Sequence, residues 1–258
     1  MPPLKALNPD HTPDLGTFAR IALFRPIKLF FTEPIVFIVS SISAIAFGII
    51  YMFTEALPPI YESMGFSERS ASLSFIAIGI GLICGFFTRM TDHRTILKYK
   101  EEGISPQPEH KLLGFSLGAP ILAVGLWWFA WTIPPRVTGV HWIVPSLALV
   151  LIGYALNEFD AVLAGYLADS YLSYAASGFA ALALVRAVLS GVFPLFATQM
   201  FDGLGANVAA SVLAAVATVF CIVPPVFARY GAKIRARSTF ARHSLQVYQD
   251  TGVDKEGF

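Results

Sequence analysis

The chain has 258 residues, of which 55% are hydrophobic and only 14% charged, and its formal net charge is +1. Its mean hydropathy of +0.64 is far above that of a water-soluble domain. The net charge carries no nucleic-acid signal, since the basic residues border the apolar stretches and no nucleic-acid partner is expected, and two cysteines, both inside apolar stretches, argue against a disulfide framework or a zinc site.

In chain order, residues 1–17 are polar and proline-rich and read as a disordered tail without an early apolar signal segment. Residues 18–33 mix Phe18, Ile21, Phe24, Ile27, Phe30 and Phe31 with Arg20, Arg25 and Lys28, the pattern of a short basic amphipathic helix on a membrane surface or of the basic flank of the first span. Pro26 either interrupts that helix or occupies a first turn.

Six stretches then follow that are long and apolar enough to cross a bilayer: Pro34–Leu57, Ala71–Met90, Leu112–Trp131, Trp142–Leu163, Ala175–Gln199 and Ala206–Phe227. Each meets the roughly 20 apolar residues that a hydrocarbon core of about 30 Å requires of a helix. The expected fold class is therefore all-α, a membrane domain of six transmembrane helices over residues 34–229. Residues 91–110, charged and bearing Gly103, Pro106 and Pro108, read as a loop, and residues 230–258 as a basic, polar, mobile tail.

Lys and Arg distribute unevenly. Lys5, Arg20, Arg25 and Lys28 precede the first span, while Arg94, Lys98, Lys100 and Lys111 lie between the second and third. Arg229, Lys233, Arg235, Arg237 and Arg242 follow the last, and the opposite links hold only Arg69 and Arg136. The positive-inside rule places both termini in the cytoplasm.

Charges at membrane depth are the candidate functional groups, because each costs about 2.5–3.5 kcal/mol on insertion scales. Glu158 and Asp160 lie in the fourth span and Arg186 in the fifth, at comparable depth. They form either an ion pair that fixes helix packing or a titratable site. Glu158 and Asp160 are about 200° apart around a helix and cannot both face one partner. Glu55, just before Pro58 and Pro59, either ends the first helix or binds a proton or cation on the exit side. Asp169 is expected to cap the fifth span or bind neighbouring backbone. Gly81 with Gly85, and Gly114 with Gly118, have the spacing that lets helices approach closely. Trp127, Trp128, Trp131 and Trp142 form an interfacial aromatic belt. No nucleophile–base set, metal-ligand pair or phosphate loop is present in the sequence, which argues against an enzyme and against a cofactor.

Several longer motifs resemble the fungal major facilitator transporters. Arg25-Pro-Ile-Lys-Leu-Phe-Phe-Thr-Glu-Pro-Ile35 and Gly48-Ile-Ile-Tyr-Met-Phe-Thr-Glu-Ala56 are similar to the stretch leading into and along their seventh helix. His141-Trp-Ile-Val-Pro145 resembles the start of the tenth. Tyr166-Leu-Ala-Asp-Ser-Tyr171, Ala175-Ala-Ser177, Arg186 and Phe193-Pro-Leu-Phe-Ala-Thr-Gln-Met-Phe201 resemble the eleventh and its approach. Gly85-Phe-Phe-Thr-Arg-Met-Thr-Asp-His-Arg94 stands where a second copy of the family's gating loop belongs and keeps Gly85, Asp92 and Arg94.

The resemblance, over about residues 20–240, is to the twelve-span drug:proton antiporter branch and to its carboxy-terminal six-helix half. It implies proton-coupled export of a small organic compound, a drug, polyamine or secondary metabolite, across the plasma membrane or the vacuolar membrane. It also implies Glu55, Glu158 and Asp160 as proton sites and Arg186 as counter-charge or substrate contact. Substrate in such proteins binds between two halves. One half cannot enclose that cavity, so the chain is expected to pair with a second copy or a separate first half, or else to be a truncated half without transport or a subunit of another complex.

Overall fold

The structure, a computed structural model, describes residues 24–101 and 108–250. The expected amino-terminal tail, residues 18–23 of the amphipathic segment, part of the expected loop and residues 251–258 lie outside the described residues.

Every regular element among them is helical. A short helix α1 (Arg25–Thr32), with Pro26 in its first turn, leads into the long α2 (Pro34–Ser63). Then come the single turn α3 (Glu68–Ala71), α4 (Ser74–Glu101), α5 (Leu113–Thr132), α6 (Ile143–Tyr171), α7 (Ala175–Leu204), α8 (Ala206–Phe220), α9 (Val223–Arg237) and α10 (Thr239–Asp250). Five helical runs are long and apolar enough to cross a membrane by length and composition, and one of them, the 62-residue run Ile143–Leu204, carries both the fourth and the fifth expected span. A 3-10 turn at Leu172–Tyr174 divides it, with Leu172 at φ 33°.

The packing order is α7 against α2, α5 and α4 against α6, and α8 against α5. Both small-residue pairs face α6. A Cβ added to Gly81 would stand 2.2 Å from the carbonyl oxygen of Val150, and one added to Gly153 would stand 2.3 Å from that of Ile78. The α4 and α6 backbones therefore touch at two reciprocal glycines. Lipid gives no hydrophobic push between helices, so close packing of this kind, with its dispersion contacts, is what holds them together.

Four boundaries depart from the sequence reading. Helix α2 does not stop before Pro58-Pro59 but runs through both to Ser63. The prolines leave the carbonyls of Thr54 and Glu55 without helix donors, which is tolerable because both residues are exposed. Helix α4 continues to Glu101 through half of the expected loop, since nothing between Gly85 and Gly103 breaks it. The last expected span is broken at Cys221–Ile222, where Pro224 and Pro225 start α9. Residues 239–250, expected to be mobile, form α10, which docks on the α6–α7 turn. Ser238 caps α10 by accepting from the Ala241 amide at 2.9 Å, and the fully buried Ser244 hydroxyl accepts from the Ser173 amide at 2.8 Å.

Because the neighbour of Gly81 is backbone that cannot step aside, Gly81→Val is expected to cost about 1–3 kcal/mol of stability. Gly191 has nothing within 4 Å of its added Cβ, so Gly191→Ala is expected to leave the helix as stable or slightly more so. Thermal unfolding of the detergent-solubilised variants checks both; equal melting of Gly81→Val and the native chain would refute the seam.

Candidate functional site: the charged groups of α6

Helix α6 turns Glu158 and Asp160 in opposite directions, as the angular offset of about 200° between positions two apart requires. Asp160 faces α7 and forms a direct ion pair with Arg186. The same guanidinium donates to the Ser43 hydroxyl of α2 at 2.7 Å and lies 3.7 Å over the ring centroid of Phe47. One arginine therefore joins α2, α6 and α7. Its Nε is buried without a hydrogen-bond partner among the described residues. Just beyond, Phe193 fills the notch at Gly48, where a Cβ would come within 2.2 Å of the ring.

Glu158 faces the other way, into the α4–α5–α6 junction. It is fully buried, and neither carboxyl oxygen has a hydrogen-bond partner among the described residues. Its chamber is made by missing side chains: a Cβ on Gly85 would stand 3.0 Å from Oε1 and one on Gly114 2.3 Å from Oε2, while Gly118 lies against its Cβ. Around it, Arg89 donates to the Asn157 carbonyl at 3.2 Å, Asn157 Nδ2 donates to the Leu82 carbonyl at 3.4 Å, and the Thr88 and Tyr154 hydroxyls bond at 2.8 Å. Arg89 and Asp92 act on Glu158 through space, with opposite signs.

The other candidates lie apart. Gly85, Asp92 and Arg94 sit on the continuous helix α4 rather than on a loop, and of the three only Gly85 touches the Glu158 chamber directly. Glu55 is exposed within α2, eight residues before its end, and lines a separate cavity of about 240 Å³ with Ser63, Thr198 and Asp202. Asp169 caps nothing; it pairs with Lys111 at 2.7 Å. The sequence reading missed Ser43 and Phe47 as partners of Arg186, and Glu33, a buried carboxylate accepting from the Tyr171 hydroxyl at 3.0 Å. Ser43 and Glu33 are visible in the sequence as polar residues beside or within an apolar run, but nothing local names their partners, and Phe47 carries no polar signal at all. Among the described residues no three His, Cys, Asp or Glu side chains gather in a way that would hold a metal ion.

An all-helical bundle whose long helices are apolar enough to cross a membrane, with an ion pair joining them part-way along, defines a polytopic membrane protein. Comparison with known proteins places it further. The chain is 36% identical over 249 residues to the efflux pump FUB11 of Gibberella moniliformis, covering 95% of this chain and 42% of that protein. It is 34% identical over 241 residues to the multidrug transporter TPO1_2 of Candida glabrata, covering 92% of this chain and 41% of that one. Against the major facilitator superfamily multidrug transporter mdrA of Aspergillus fumigatus the identity is 35% over 228 residues, 87% of this chain and 37% of that protein. No family profile and no solved structure matches. The chain is a relative of major facilitator proteins that are named as fungal efflux pumps and multidrug transporters, and it spans about two fifths of their length.

The Asp160–Arg186 pair is half-exposed on the acid side, so its strength is set by how much water reaches it. Asp160→Asn and Arg186→Gln are each expected to lower stability, and the double variant to lower it by less than their sum, with a coupling of about 0.5–3 kcal/mol. A double-mutant cycle on thermal unfolding measures this, and strict additivity would show that the pair does not hold α6 to α7.

Proposed function

We propose that the chain forms the carboxy-terminal six-helix half of a proton-coupled exporter of small organic compounds, working with a first half or a second copy that completes the substrate cavity. The observation that carries this reading is Glu158: a carboxyl sealed among glycines with both oxygens unpaired, in a chain related to efflux pumps. An ionised carboxylate without a partner is poorly tolerated in such a site, whereas the neutral acid fits it. Glu158 holds its proton while the α4–α5–α6 junction is closed. Opening the junction brings water or the Arg89 guanidinium to the carboxyl, and the proton leaves. Charge change at one residue then biases which packing of the helices is favoured.

Asp160 and Arg186 play a different part in this scheme. They tie α6 to α2 and α7, so a shift of α6 at Glu158 is transmitted to the helices on its other side. Arg186 also offers a cation to an anionic group of a substrate. The names of the relatives, efflux pump and multidrug transporter, support a drug-like compound as cargo, a reading that the apolar surroundings of the site suit. Glu55, exposed on a separate cavity, is the weaker proton candidate.

The test is efflux of a fluorescent amphipathic dye from a fungal host that expresses the chain, driven by an imposed pH gradient. Efflux is expected to fall to background in Glu158→Gln at unchanged membrane abundance and to fall only partly in Asp160→Asn. Full efflux by Glu158→Gln removes Glu158 from the mechanism. No gradient-driven efflux by the native chain, with a second polypeptide retained in mild detergent, favours a subunit role instead.

A further inference from the structure

A second polar feature lies away from these charges, where α1, the start of α2, α9 and α10 meet. A cavity of about 540 Å³ opens there, bordered by Lys28 and Thr32 of α1, Glu33, Arg237 of α9, and Ser238 and Thr239 at the start of α10. Its size falls in the range of about 300–1,000 Å³ typical of small-ligand pockets. The cations are uncommitted: neither Lys28 nor Arg237 makes an ion pair among the described residues, and the Lys28 ammonium rests only over the Phe240 ring, 5.9 Å from its centroid. The one carboxylate bordering the cavity, Glu33, is 4% exposed and its Oε2 is engaged by the Tyr171 hydroxyl. The cavity also borders the first turn of α10, a twelve-residue helix whose peptide dipoles add positive potential at that end.

Helix α1 indicates what reaches this cavity. It is eight residues long and precedes the first apolar run, yet Phe24, Ile27 and Phe31 are 67%, 41% and 76% exposed along one face while Leu29 is fully buried. A helix with bare aromatic side chains on one side and Arg25 and Lys28 beside them lies in the plane of a membrane interface. Lys28 then stands at headgroup level, on a cavity that Arg237 and Thr239 also line. A lysine point charge and an arginine fork with a nearby hydroxyl suit phosphate oxygens.

We propose that this cavity binds the phosphate-bearing headgroup of an anionic phospholipid from the membrane surface on which α1 lies. The proposal uses the membrane-protein reading to place α1 at a lipid surface and is independent of whether the chain transports. A headgroup there bridges α1 to α9 and α10, fastening the carboxy-terminal helices beneath the bundle.

The test uses the whole chain in neutral detergent, with lipid adducts counted by native mass spectrometry. Dioctanoyl phosphatidylinositol 4-phosphate is expected to bind saturably and dioctanoyl phosphatidylcholine not to. Lys28→Gln with Arg237→Gln is expected to weaken the anionic lipid by roughly tenfold or more, the effect of removing two cations from an anionic contact. Arg69→Gln with Lys98→Gln, whose cations lie elsewhere, is expected to leave binding unchanged. Equal binding by the Lys28/Arg237 variant overturns the proposal, as does displacement of the lipid by inorganic phosphate at matching concentration, which would mark a site for a soluble anion. Should the double variant not remain monodisperse, the native chain decides: binding must weaken as salt is raised, and salt-insensitive binding overturns the site.

Discussion

Backbone contact between α6 and its neighbours α4 and α5 is the constraint on which the rest of the molecule depends. Gly81 and Gly153 each present a bare Cα to the other helix, and no side chain separates the α4 and α6 backbones at that crossing. Packing in hydrocarbon draws its energy from such close approach rather than from exclusion of water. The crossing sets the height and rotation of α6. Once those are set, position 158 must point into the α4–α5 cleft, and position 160, about 200° further round the helix, must point to α7. Both polar sites are consequences of the glycine seam.

The two carboxylates illustrate how environment divides the roles of chemically similar groups. Asp160 has a guanidinium in contact, and its charge is answered where it stands. Glu158 has only glycine Cα atoms, its own helix and the through-space influence of Arg89 and Asp92. A charge answered by a partner stabilises one arrangement of helices, while a carboxyl without a partner makes the arrangement depend on whether a proton is present. In the proposed scheme the same α6 turn thus carries a fixed link on one side and a conditional one on the other.

Much of this was legible in the sequence because apolar length and helical period are local properties. Most of the apolar runs, the comparable depth of Arg186 and the carboxylates at 158 and 160, and the divergence of those two carboxylates follow from counting residues along helices; which of the two meets Arg186 does not. Glycine spacing marked Gly81/Gly85 and Gly114/Gly118 as contact surfaces, but spacing on one helix does not name the helix opposite, so the enclosure of Glu158 by Gly85 and Gly114 could not be read. Boundaries failed where local rules conflicted. Pro58-Pro59 is a strong stop signal, yet α2 tolerates it because the freed carbonyls belong to exposed residues. The stretch after Ser238 is polar on average, which hid the narrow packing stripe of Phe240, Ala241 and Ser244 that docks α10.

The two principal seams differ in a way that bears on motion. At the Gly81–Gly153 crossing α4 and α6 have no side chains to rearrange: sliding one helix along the other would drive Cβ atoms into backbone, so the crossing resists sliding. The α2–α7 contact is the most extensive in the bundle, yet it is lined with polar groups. Arg186 reaches across it to Ser43, while Ser40 on α2 and Ser190 on α7 are buried with unpaired hydroxyls. In a low-dielectric interior an unpaired hydroxyl is a standing cost, relieved by any small displacement that brings a partner within reach. In the proposed scheme, a protonation change at Glu158 that opens the α4–α5–α6 junction reaches the polar α2–α7 contact through the Asp160–Arg186 link.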